Sequence, residues 1–542
     1  MSDAAPPEIT ALRSEVHQQL AAGRIGAALD AVRGLADSVL TNPRAVTRVL
    51  GSRELDALCE HIARAATTEH AEAEARREGT VILATKLVEA GGHVELIKDF
   101  ISLNLFEEPA TILLTNSFGD SDTRVAAGFA ETQGTHVDTA LGTDTTTRFE
   151  AVKQYLEDKR PETLVVVVNN NDIIGICAAL AAPVENVIFV HHGDHHLSLG
   201  VTCKDFQHVD LANMAFENCR HDLEVEDNVY WPLVLRKDVG QRTRHFSKSG
   251  EWTSCSVGRP EKFMAEEYVY NYATLLPQIL KTTAGTHVHI GDVPDRLRKS
   301  LEDSFEKTGL SLDRIRFIPY APSVAQALVD EEVDFFLGSF PIGGGKSTIE
   351  AMSAGMPLVM HMNYRHRMFC GADIAYPGAL TWSDEKELFG ILAQLTSEVL
   401  SNHAQRARDW FEKNHSSEAL VRAARDPIQS PPPLADHRFN RLFAFLDEER
   451  ALRDSHVRRA ELIAVERDAG ANSSKLIKAG TALQEAEEMV SELAVAIAER
   501  DAQIMEIEAV HKKLLDRTTS PKGLVKLLAR YLKFKLRRKK QL

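Results

Sequence analysis

The stretch VDFFLGSFPIGGGKSTIEAMSAGMPLV, residues 333–359, is the clearest structural signal in this 542-residue chain. An apolar run that ends at Leu337 predicts a buried β-strand, and a glycine-rich turn follows it. The segment after the glycines has the apolar spacing of a helix, and another apolar run begins at Leu358. Strand, helix and strand in this order predict two parallel strands joined by a helical crossover.

The same alternation continues on both sides of this stretch. One series of apolar runs consists of TVILAT, ATILLTN, HVDTAL, TLVVVVNN, NVIFVHH and HVDLANMAF, and a second consists of SCSVGRP, THVHIGD, RIRFIPY, VDFFLGS and PLVMHMN. Continuous apolar strands separated by amphipathic helices indicate parallel sheets covered on both faces. We therefore predict an α/β fold with two tandem Rossmann-like domains, 79–248 and 249–425. Ligands bind such sheets outside the carboxyl ends of the strands, so the cleft between the domains is the expected active site.

The two ends of the chain differ from this pattern. Residues 1–78 are rich in Ala, Leu, Glu and Arg at helical spacing and predict a helical prefix that serves packing or protein interaction. Consecutive prolines predict an extended linker at 426–439. Residues 440–516 predict a coiled coil, because ten of twelve heptad positions between 476 and 514 are apolar. The coiled coil would make the chain a homo-oligomer; a single helix that packs back on the core is the alternative.

Charge is distributed unevenly along the chain. The net charge of −15 argues against nucleic acid as a partner of the whole molecule, whereas residues 521–542 contain nine Lys or Arg and no acidic residue. Apolar positions between these cations predict that 517–542 is a basic amphipathic tail on an anionic membrane surface. An RNA-binding or merely solvated tail is the alternative.

Cysteine usage and the N-terminus indicate a compartment. The six cysteines are far apart and include no CxxC pair, as is usual in a reducing environment. The sequence MSDAAPPEITALRSE has neither the basic start nor the apolar core of a signal peptide, and no apolar run reaches the roughly 20 residues that span a bilayer. We expect a cytoplasmic protein that its tail holds at the inner face of the plasma membrane.

The glycine-rich turn predicts an anion site. A helix N-terminus offers free backbone N–H groups and a partial positive charge, and glycine lets the backbone approach a phosphate closely. The glycines are followed by further donors in the side chains of Lys346, Ser347 and Thr348. GGGKST resembles the end of a P-loop, but that motif needs glycine five positions before its final glycine, where this chain has Phe340.

A family resemblance rests on the same residues. FLGSFPIGGGKSTIEAMSAGMPLVMHMN resembles the donor domain of GT-B glycosyltransferases, and EAMSAGMPLV is similar to their EAMA-x-G-x-PVV stretch. The three-glycine turn resembles that of O-linked N-acetylglucosamine transferases. The E-x7-E signature of other members is incomplete, because Ile342 lies eight residues before Glu350.

Two further stretches resemble the acceptor-side domain of bacterial GT-B enzymes of the cell-surface polysaccharide type. TVILATKLVEAGGHVELIKDFISLN is similar to their first strand, turn and helix, and NVIFVHHGDHHLSLGVTCKDF is similar to their N-H-A-D-H-x-F-W-L-G segment. In the second stretch, Leu197 and Ser198 replace the usual aromatic residues. The resemblance covers 79–425 and implies a cleft that binds a nucleotide-diphosphate sugar as substrate, without a cofactor.

The resemblance and the loop chemistry imply a set of site residues. Candidates for acid–base catalysis are His93, His192, Asp194 and His195, since histidine titrates near neutrality and these residues follow strands. Candidates for donor binding are Arg259, Lys262, Gly343, Gly344, Gly345, Lys346, Ser347, Thr348, Glu350 and Arg365. For Arg259 and Lys262, ordinary surface positions are the alternative.

Zinc is a competing interpretation of one segment. The four histidines of HHGDHH precede Cys203, His208, Cys219 and His221, which are all metal-ligating residue types. No C-x2-C or H-x3-H pair anchors a tetrahedral site, so we predict that the protein binds no metal.

These observations lead to one predicted function and two alternatives. We predict a metal-independent hexosyltransferase of the GT-B class that transfers a sugar from a nucleotide-diphosphate donor to a hydroxyl of a glycan, lipid-linked or protein acceptor. A nucleotide-sugar epimerase of the same fold would convert the donor without an acceptor. A catalytically silent scaffold would keep the fold and recruit partners through the coiled coil.

Overall fold

The computed structural model describes residues 5–67, 79–89, 92–193, 195–236, 250–264, 268–363, 370–426 and 442–468, with a few isolated residues elsewhere. The predicted linker after Asp426 and the basic tail lie outside these ranges, and only isolated residues are described between 476 and 514. The linker, the coiled coil and the tail therefore stay predictions. Both sheets belong to one compact unit that ends at Asp447. The helix that crosses this boundary is α16 (Leu442–Asp468).

The first domain contains a seven-stranded sheet whose strands are all parallel, in the order β3-β2-β1-β4-β5-β6-β7. Strand β1 is buried along its whole length, as a sheet covered on both faces requires. The elements are β1 (Thr80–Ala84), α4 (Gly92–Ser102), β2 (Ala110–Leu114), α5 (Thr123–Gln133), β3 (His136–Thr139), α6 (Thr145–Lys159), β4 (Thr163–Val167), α7 (Ile173–Ala181), β5 (Asn186–His191), β6 (Gln207–Asp210), α8 (Asn213–His221) and β7 (Val229–Tyr230).

The second domain contains a six-stranded parallel sheet in the order β10-β9-β8-β11-β12-β13. Its elements are β8 (Ser254–Val257), α9 (Tyr272–Thr283), β9 (His287–Ile290), α10 (Asp295–Thr308), β10 (Ile315–Ile318), α11 (Val324–Asp330), β11 (Phe335–Leu337), α12 (Lys346–Ser353), β12 (Leu358–His361), β13 (Leu380–Trp382), α13 (Glu385–Ala393), α14 (Ser397–Asn414) and α15 (Ser417–Arg425). The two parallel sheets confirm the prediction of two Rossmann-like domains, the architecture of the GT-B fold.

Both sheets have the strand order of a doubly wound fold. The order reverses between β1 and β4 in the first sheet and between β8 and β11 in the second. Crevices form where the loops after such neighbouring strands diverge to opposite faces of the sheet. The loops after β1 and β4 in the first sheet, and after β8 and β11 in the second, therefore flank such crevices.

The helical prefix is present as α1 (Pro7–Ala21), α2 (Ile25–Leu40) and α3 (Arg53–Ala66). The Ser52 side chain caps α3 by accepting a hydrogen bond from the Leu55 N–H. Ile62 of α3 is fully buried in the same apolar core as Phe149 of α6 and Ile174 of α7. The prefix is thus an added layer on the first domain.

The end of the second domain returns to the first. Leu420 and Ala423 of α15 pack in the core that surrounds Trp231, which follows β7. A parallel bridge between Leu235 and Ser416 ties the interdomain connection to the start of α15. These contacts hold the two domains together on one side of the cleft.

Among the described helices, none is long and apolar enough to cross a membrane.

Candidate active site

A cavity of about 500 Å³ lies between the two domains, at the carboxyl ends of both sheets. The first domain contributes the start of α4, the segment after β5 and the segment after β6, and the second contributes the glycine loop and the residues around Asp373. Its lining includes the predicted residues His93, His192, His195, Lys262, Gly343, Gly345 and Lys346. The structure therefore brings candidates from both domains to one site.

Close packing at the glycine loop requires glycine. A Cβ added at Gly343 would collide with the carbonyl oxygen of Cys370, and one added at Gly344 would collide with the Ser347 hydroxyl. Gly371 has a φ of +64° and lies against the Gly344 backbone. The loop after β11 thus packs backbone to backbone on the 370–371 segment, which fixes the position from which α12 begins.

The N-terminus of α12 is open toward the cavity. Gly345 is its N-cap residue, and no side chain caps the helix. Among the described residues, no acceptor pairs with the N–H groups of Gly345, Lys346 or Ser347. The Thr348 hydroxyl is buried and donates to the Gly344 carbonyl, so it is engaged within the loop. The free donors of this turn therefore include its backbone N–H groups, which favour an anion.

Two lysines adjoin this turn. Lys262 follows β8, and its Nζ would lie 3.1 Å from a Cβ at Gly344. Burial and the nearby Arg259 charge lower the pKa of Lys262. Lys346 is the first residue of α12, and its side chain is 44% exposed. Arg259 is exposed and is not among the residues that line the cavity, so the structure does not place it in the cavity with Lys262 and Lys346.

A cluster of charges faces the glycine loop from the first domain. Glu95 and Asp99 are one turn apart on α4 and line the cavity. Lys346 Nζ lies 3.8 Å from Glu95 Oε2, across the cleft. Glu95 also pairs with Lys98 at 2.7 Å and with Arg236 at 2.5 Å, and Arg236 Nε lies 3.0 Å from Asp99 Oδ1.

The two carboxylates of this cluster have different electrostatic environments. Burial raises the pKa of Glu95, but the Lys98 hydrogen bond and the Lys346 and Arg236 charges outweigh that effect and lower its pKa overall. Asp99 is only 5% exposed, and burial raises its pKa to about 6 despite the same cations. Near neutral pH, Glu95 is an anion that holds Lys346, whereas Asp99 can exchange a proton.

Two predicted histidines face each other on the acceptor side of the cavity. The rings of His93, at the start of α4, and His192, after β5, are 5.9 Å apart. His93 Nε2 donates to the Lys86 carbonyl at 3.1 Å, and His192 Nε2 donates to the Val168 carbonyl at 2.8 Å. Burial lowers the pKa of His93, so its ring is neutral at pH 7 with Nδ1 as the basic atom.

Other predicted residues are placed elsewhere or lie outside the described part of the chain. Glu350 Oε2 accepts a hydrogen bond from the Ala325 N–H at 3.0 Å and so caps α11, outside the cavity lining. Burial raises the pKa of Glu350. Asp194 and Arg365 are not among the described residues.

Sequence reasoning missed Glu95, Asp99 and Arg236. A signal for the first two was present, since residues four apart on the helix that follows β1 share one face near the expected cleft. Arg236 lies in the connection between the domains, where nothing in the local sequence predicts its carboxylate partners.

No protein-family model and no curated protein matches the chain. Several solved structures are similar at low sequence identity. A crystal structure of HepE from Anabaena in complex with UDP and glucose is 10% identical with a TM-score of 0.46, and the match covers 64% of this chain and 99% of that chain. The O-GlcNAc transferase of Thermobaculum terrenum is 12% identical with a TM-score of 0.43, and the match covers 77% and 80%, respectively.

A third similar structure is the UDP-GlcNAc 2-epimerase of Methanocaldococcus jannaschii. It is 12% identical with a TM-score of 0.39, and the match covers 64% of this chain and 98% of that chain. Similarities of this size do not identify a function. The fold follows from the strand order of the two sheets.

Proposed function

We propose that the chain is a glycosyltransferase that binds a nucleotide-diphosphate sugar in the interdomain cavity. The observation that carries the proposal is the open N-terminus of α12, whose uncapped N–H groups lie beside Lys346 and Lys262 at the cavity wall. Backbone donors, a helix dipole and two ammonium groups together suit a diphosphate, which bears charge on several oxygens.

The reaction proposed for this cavity is a displacement at the anomeric carbon. The acceptor hydroxyl gives its proton to a base as its oxygen bonds to that carbon, and the bond from the carbon to the diphosphate breaks. The leaving diphosphate keeps the electron pair, and its negative charge is stabilised by the α12 N–H groups and Lys346.

His93 is the base that the geometry favours for an acceptor on the first-domain side. Its Nε2–H is engaged by the Lys86 carbonyl, which fixes the ring and leaves Nδ1 to take the proton. Its lowered pKa keeps that nitrogen unprotonated at neutral pH. His192, across the 5.9 Å separation, helps to define the acceptor side of the cavity.

The finer features of the proposal concern the acceptor and the ends of the chain. We propose a hydroxyl of a glycan, lipid-linked or protein acceptor, self-association through the predicted coiled coil, and an anionic membrane surface as the partner of the basic tail. Their support is the sequence pattern of 440–516 and 517–542.

A donor screen followed by a turnover assay tests the proposal. The full chain is heated with UDP-, GDP- and dTDP-sugars, and binding of one donor class should raise the melting temperature by mass action. The stabilising donor is then incubated with and without candidate acceptors. Acceptor-dependent release of the nucleoside diphosphate supports a transferase, whereas conversion of the sugar without an acceptor indicates an epimerase. Binding of no donor, or binding without turnover with any acceptor, would favour a silent scaffold.

A further inference from the structure

A second cluster of reactive side chains lies in the interior of the first domain, outside the cavity. His191 is the last residue of β5, His208 and Asp210 are on β6, and Cys219 is on α8. All four are at most 1% exposed, and their ligand-type atoms lie within 4.8 Å of one another. Burying four titratable groups together, away from water, costs free energy unless they are paired or bind a metal.

Protons alone satisfy this cluster poorly. Asp210 Oδ1 is approached by His191 Nδ1 at 2.9 Å, by His208 Nε2 at 3.0 Å and by Cys219 Sγ at 3.4 Å. A carboxylate has about four acceptor positions on its two oxygens, so roughly two for each. Three groups contact this one oxygen, and a neutral His208, whose Nδ1–H donates to the Val201 carbonyl, has no proton on Nε2 to give it. A single cation between the four groups would remove the conflict, because each heteroatom would then direct a lone pair to the centre.

We propose that His191, His208, Asp210 and Cys219 bind one Zn²⁺. Zinc–nitrogen and zinc–oxygen distances of about 2.0–2.2 Å and a zinc–sulfur distance of about 2.3 Å place tetrahedral ligands roughly 3.3–3.6 Å apart. The observed Cys219 Sγ distances of 3.5 Å to His191 Nδ1 and 3.4 Å to Asp210 Oδ1 fall in that range. The two contacts of Asp210 with the histidines are slightly shorter and would open as the ion enters.

Charge balance supports a divalent ion. With Cys219 as thiolate, Asp210 as carboxylate and both histidines neutral, the ligands carry two negative charges, which Zn²⁺ neutralises. A neutral site is what a fully buried position tolerates best. Nitrogen, oxygen and one sulfur ligand are also donor types that zinc accepts together.

The surroundings of the cluster resemble the outer shell of a metal site. His208 Nδ1 lies 3.0 Å from the Val201 carbonyl, so this N–H donates there and leaves Nε2 as the coordinating atom. Asn228 Nδ2 donates to Asp210 Oδ2 at 2.6 Å, which orients the carboxylate with Oδ1 toward the centre. Hydrogen bonds of this kind fix the tautomer and direction of ligands in zinc proteins. His191 Nε2 has no hydrogen-bond partner among the described residues, and binding of an ion at Nδ1 would not change that.

The proposal replaces the prediction that the chain binds no metal. That prediction relied on spacing within short motifs, whereas these ligands are assembled by the sheet, in which His191 pairs with Asp210 in register. Four protein ligands close the coordination sphere, so the ion would be structural. It would fix the position of the end of β5. His192, the next residue in the chain, lines the cavity.

Metal analysis of the full chain tests the site. Purified protein should contain about one zinc per chain, and chelator-treated protein should take up one equivalent of Zn²⁺ in competition with a chromophoric chelator. After replacement by Co²⁺, a cobalt–thiolate charge-transfer absorption should appear in the near ultraviolet. Cys219→Ser should abolish this absorption and weaken Zn²⁺ binding by at least about 100-fold, since loss of a direct ligand should exceed the 10–100-fold effect of outer-shell changes.

Cys177→Ser is the matched control. Cys177 is also fully buried in the first domain, its Sγ contacts the Cys59 carbonyl at 3.7 Å, and it is not one of the four clustered residues. This variant should keep the cobalt absorption and the zinc affinity. A wild-type chain that takes up no zinc, or whose cobalt form lacks thiolate absorption, overturns the proposal even if Cys219→Ser does not fold. Equal spectra for Cys219→Ser and the wild type would do the same. None of these outcomes depends on glycosyl transfer.

Discussion

Lys346→Ala is the most direct perturbation of the proposed diphosphate site. The side chain stands at the first turn of α12 and contacts Glu95 across the cleft at 3.8 Å. When a diphosphate binds, Lys346 must exchange this weak ion pair for a charge-assisted hydrogen bond to phosphate. Removing the ammonium group therefore affects the bound state more than the free state.

The size of the effect follows from exposure and from the partners that remain. A hydrogen bond to a charged group contributes about 1.5–3 kcal/mol, and the 44% exposure of Lys346 favours the lower half of that range. The lost pair with Glu95, in which both side chains are partly exposed, is worth about 0–1 kcal/mol and partly offsets it. With the middle of that offset, about 0.5 kcal/mol, subtracted, about 1–1.7 kcal/mol remains. We therefore expect the donor affinity to fall by roughly 5- to 15-fold, at about 1.4 kcal/mol per factor of ten.

The assay is calorimetric titration of the donor nucleotide into the variant and the wild type. Unfolding free energy should change by less than about 0.5 kcal/mol, because Glu95 keeps Lys98 at 2.7 Å and Arg236 at 2.5 Å. Lys98→Ala is the matched control: it removes another lysine that pairs with Glu95, but one that does not line the cavity. Its donor affinity should stay within about threefold of the wild type. Unchanged affinity in Lys346→Ala, or an equal loss in Lys98→Ala, would contradict a diphosphate at this turn.

Four further predictions concern packing and protonation. Gly343→Ala should lower the unfolding free energy by about 1–3 kcal/mol in chemical denaturation because its Cβ meets backbone, whereas Gly390→Ala, in open space on α13, should raise it by about 0.5–1 kcal/mol. His93→Gln should lower kcat by about 10²–10⁴-fold. It should also abolish the acid limb of the pH–rate profile, which in the wild type lies below pH 6.5 because burial lowers the pKa of His93. Since burial raises the pKa of Asp99 from 3.8 to about 6, the native state binds more protons than the unfolded state between these values. The contribution of Asp99 to the unfolding free energy should therefore fall as pH rises from 4 to 6, by at most about 3 kcal/mol. In Asp99→Asn, the unfolding free energy measured in the same denaturation series should depend less steeply on pH. Ile62→Ala, in the prefix helix α3 and fully buried against the first domain, should lower the unfolding free energy by about 2–5 kcal/mol, and a change below about 0.5 kcal/mol would show that the prefix is not part of the core.

The fold could be read from the sequence because its determinants are local. Each long strand is a continuous apolar run, as in TVILA of β1, and a short run of this kind is typical of a strand covered on both faces. Strands β7 and β13, of two and three residues, were not predicted, and each lies at the edge of its sheet. Such short edge strands receive their pairing from the neighbouring strand and leave little periodicity of their own.

The glycine loop could also be located in advance, since close backbone approach at Gly343 requires a residue without a Cβ. The roles of the residues that follow could not. Thr348 and Glu350 stand beside the glycines in the sequence, but the helix turns one side chain back onto the loop and the other toward α11.

Hydrophobic periodicity and glycine placement are properties of consecutive residues, and they were enough to predict two parallel sheets and to locate the glycine turn before α12. The grouping of Glu95, Asp99 and Arg236 opposite Lys346, and of His191 and His208 around Asp210, arose only when distant segments came together. A charge or a ligand atom acts through distances of a few ångströms in space, and strand register and domain packing set those distances independently of separation along the chain.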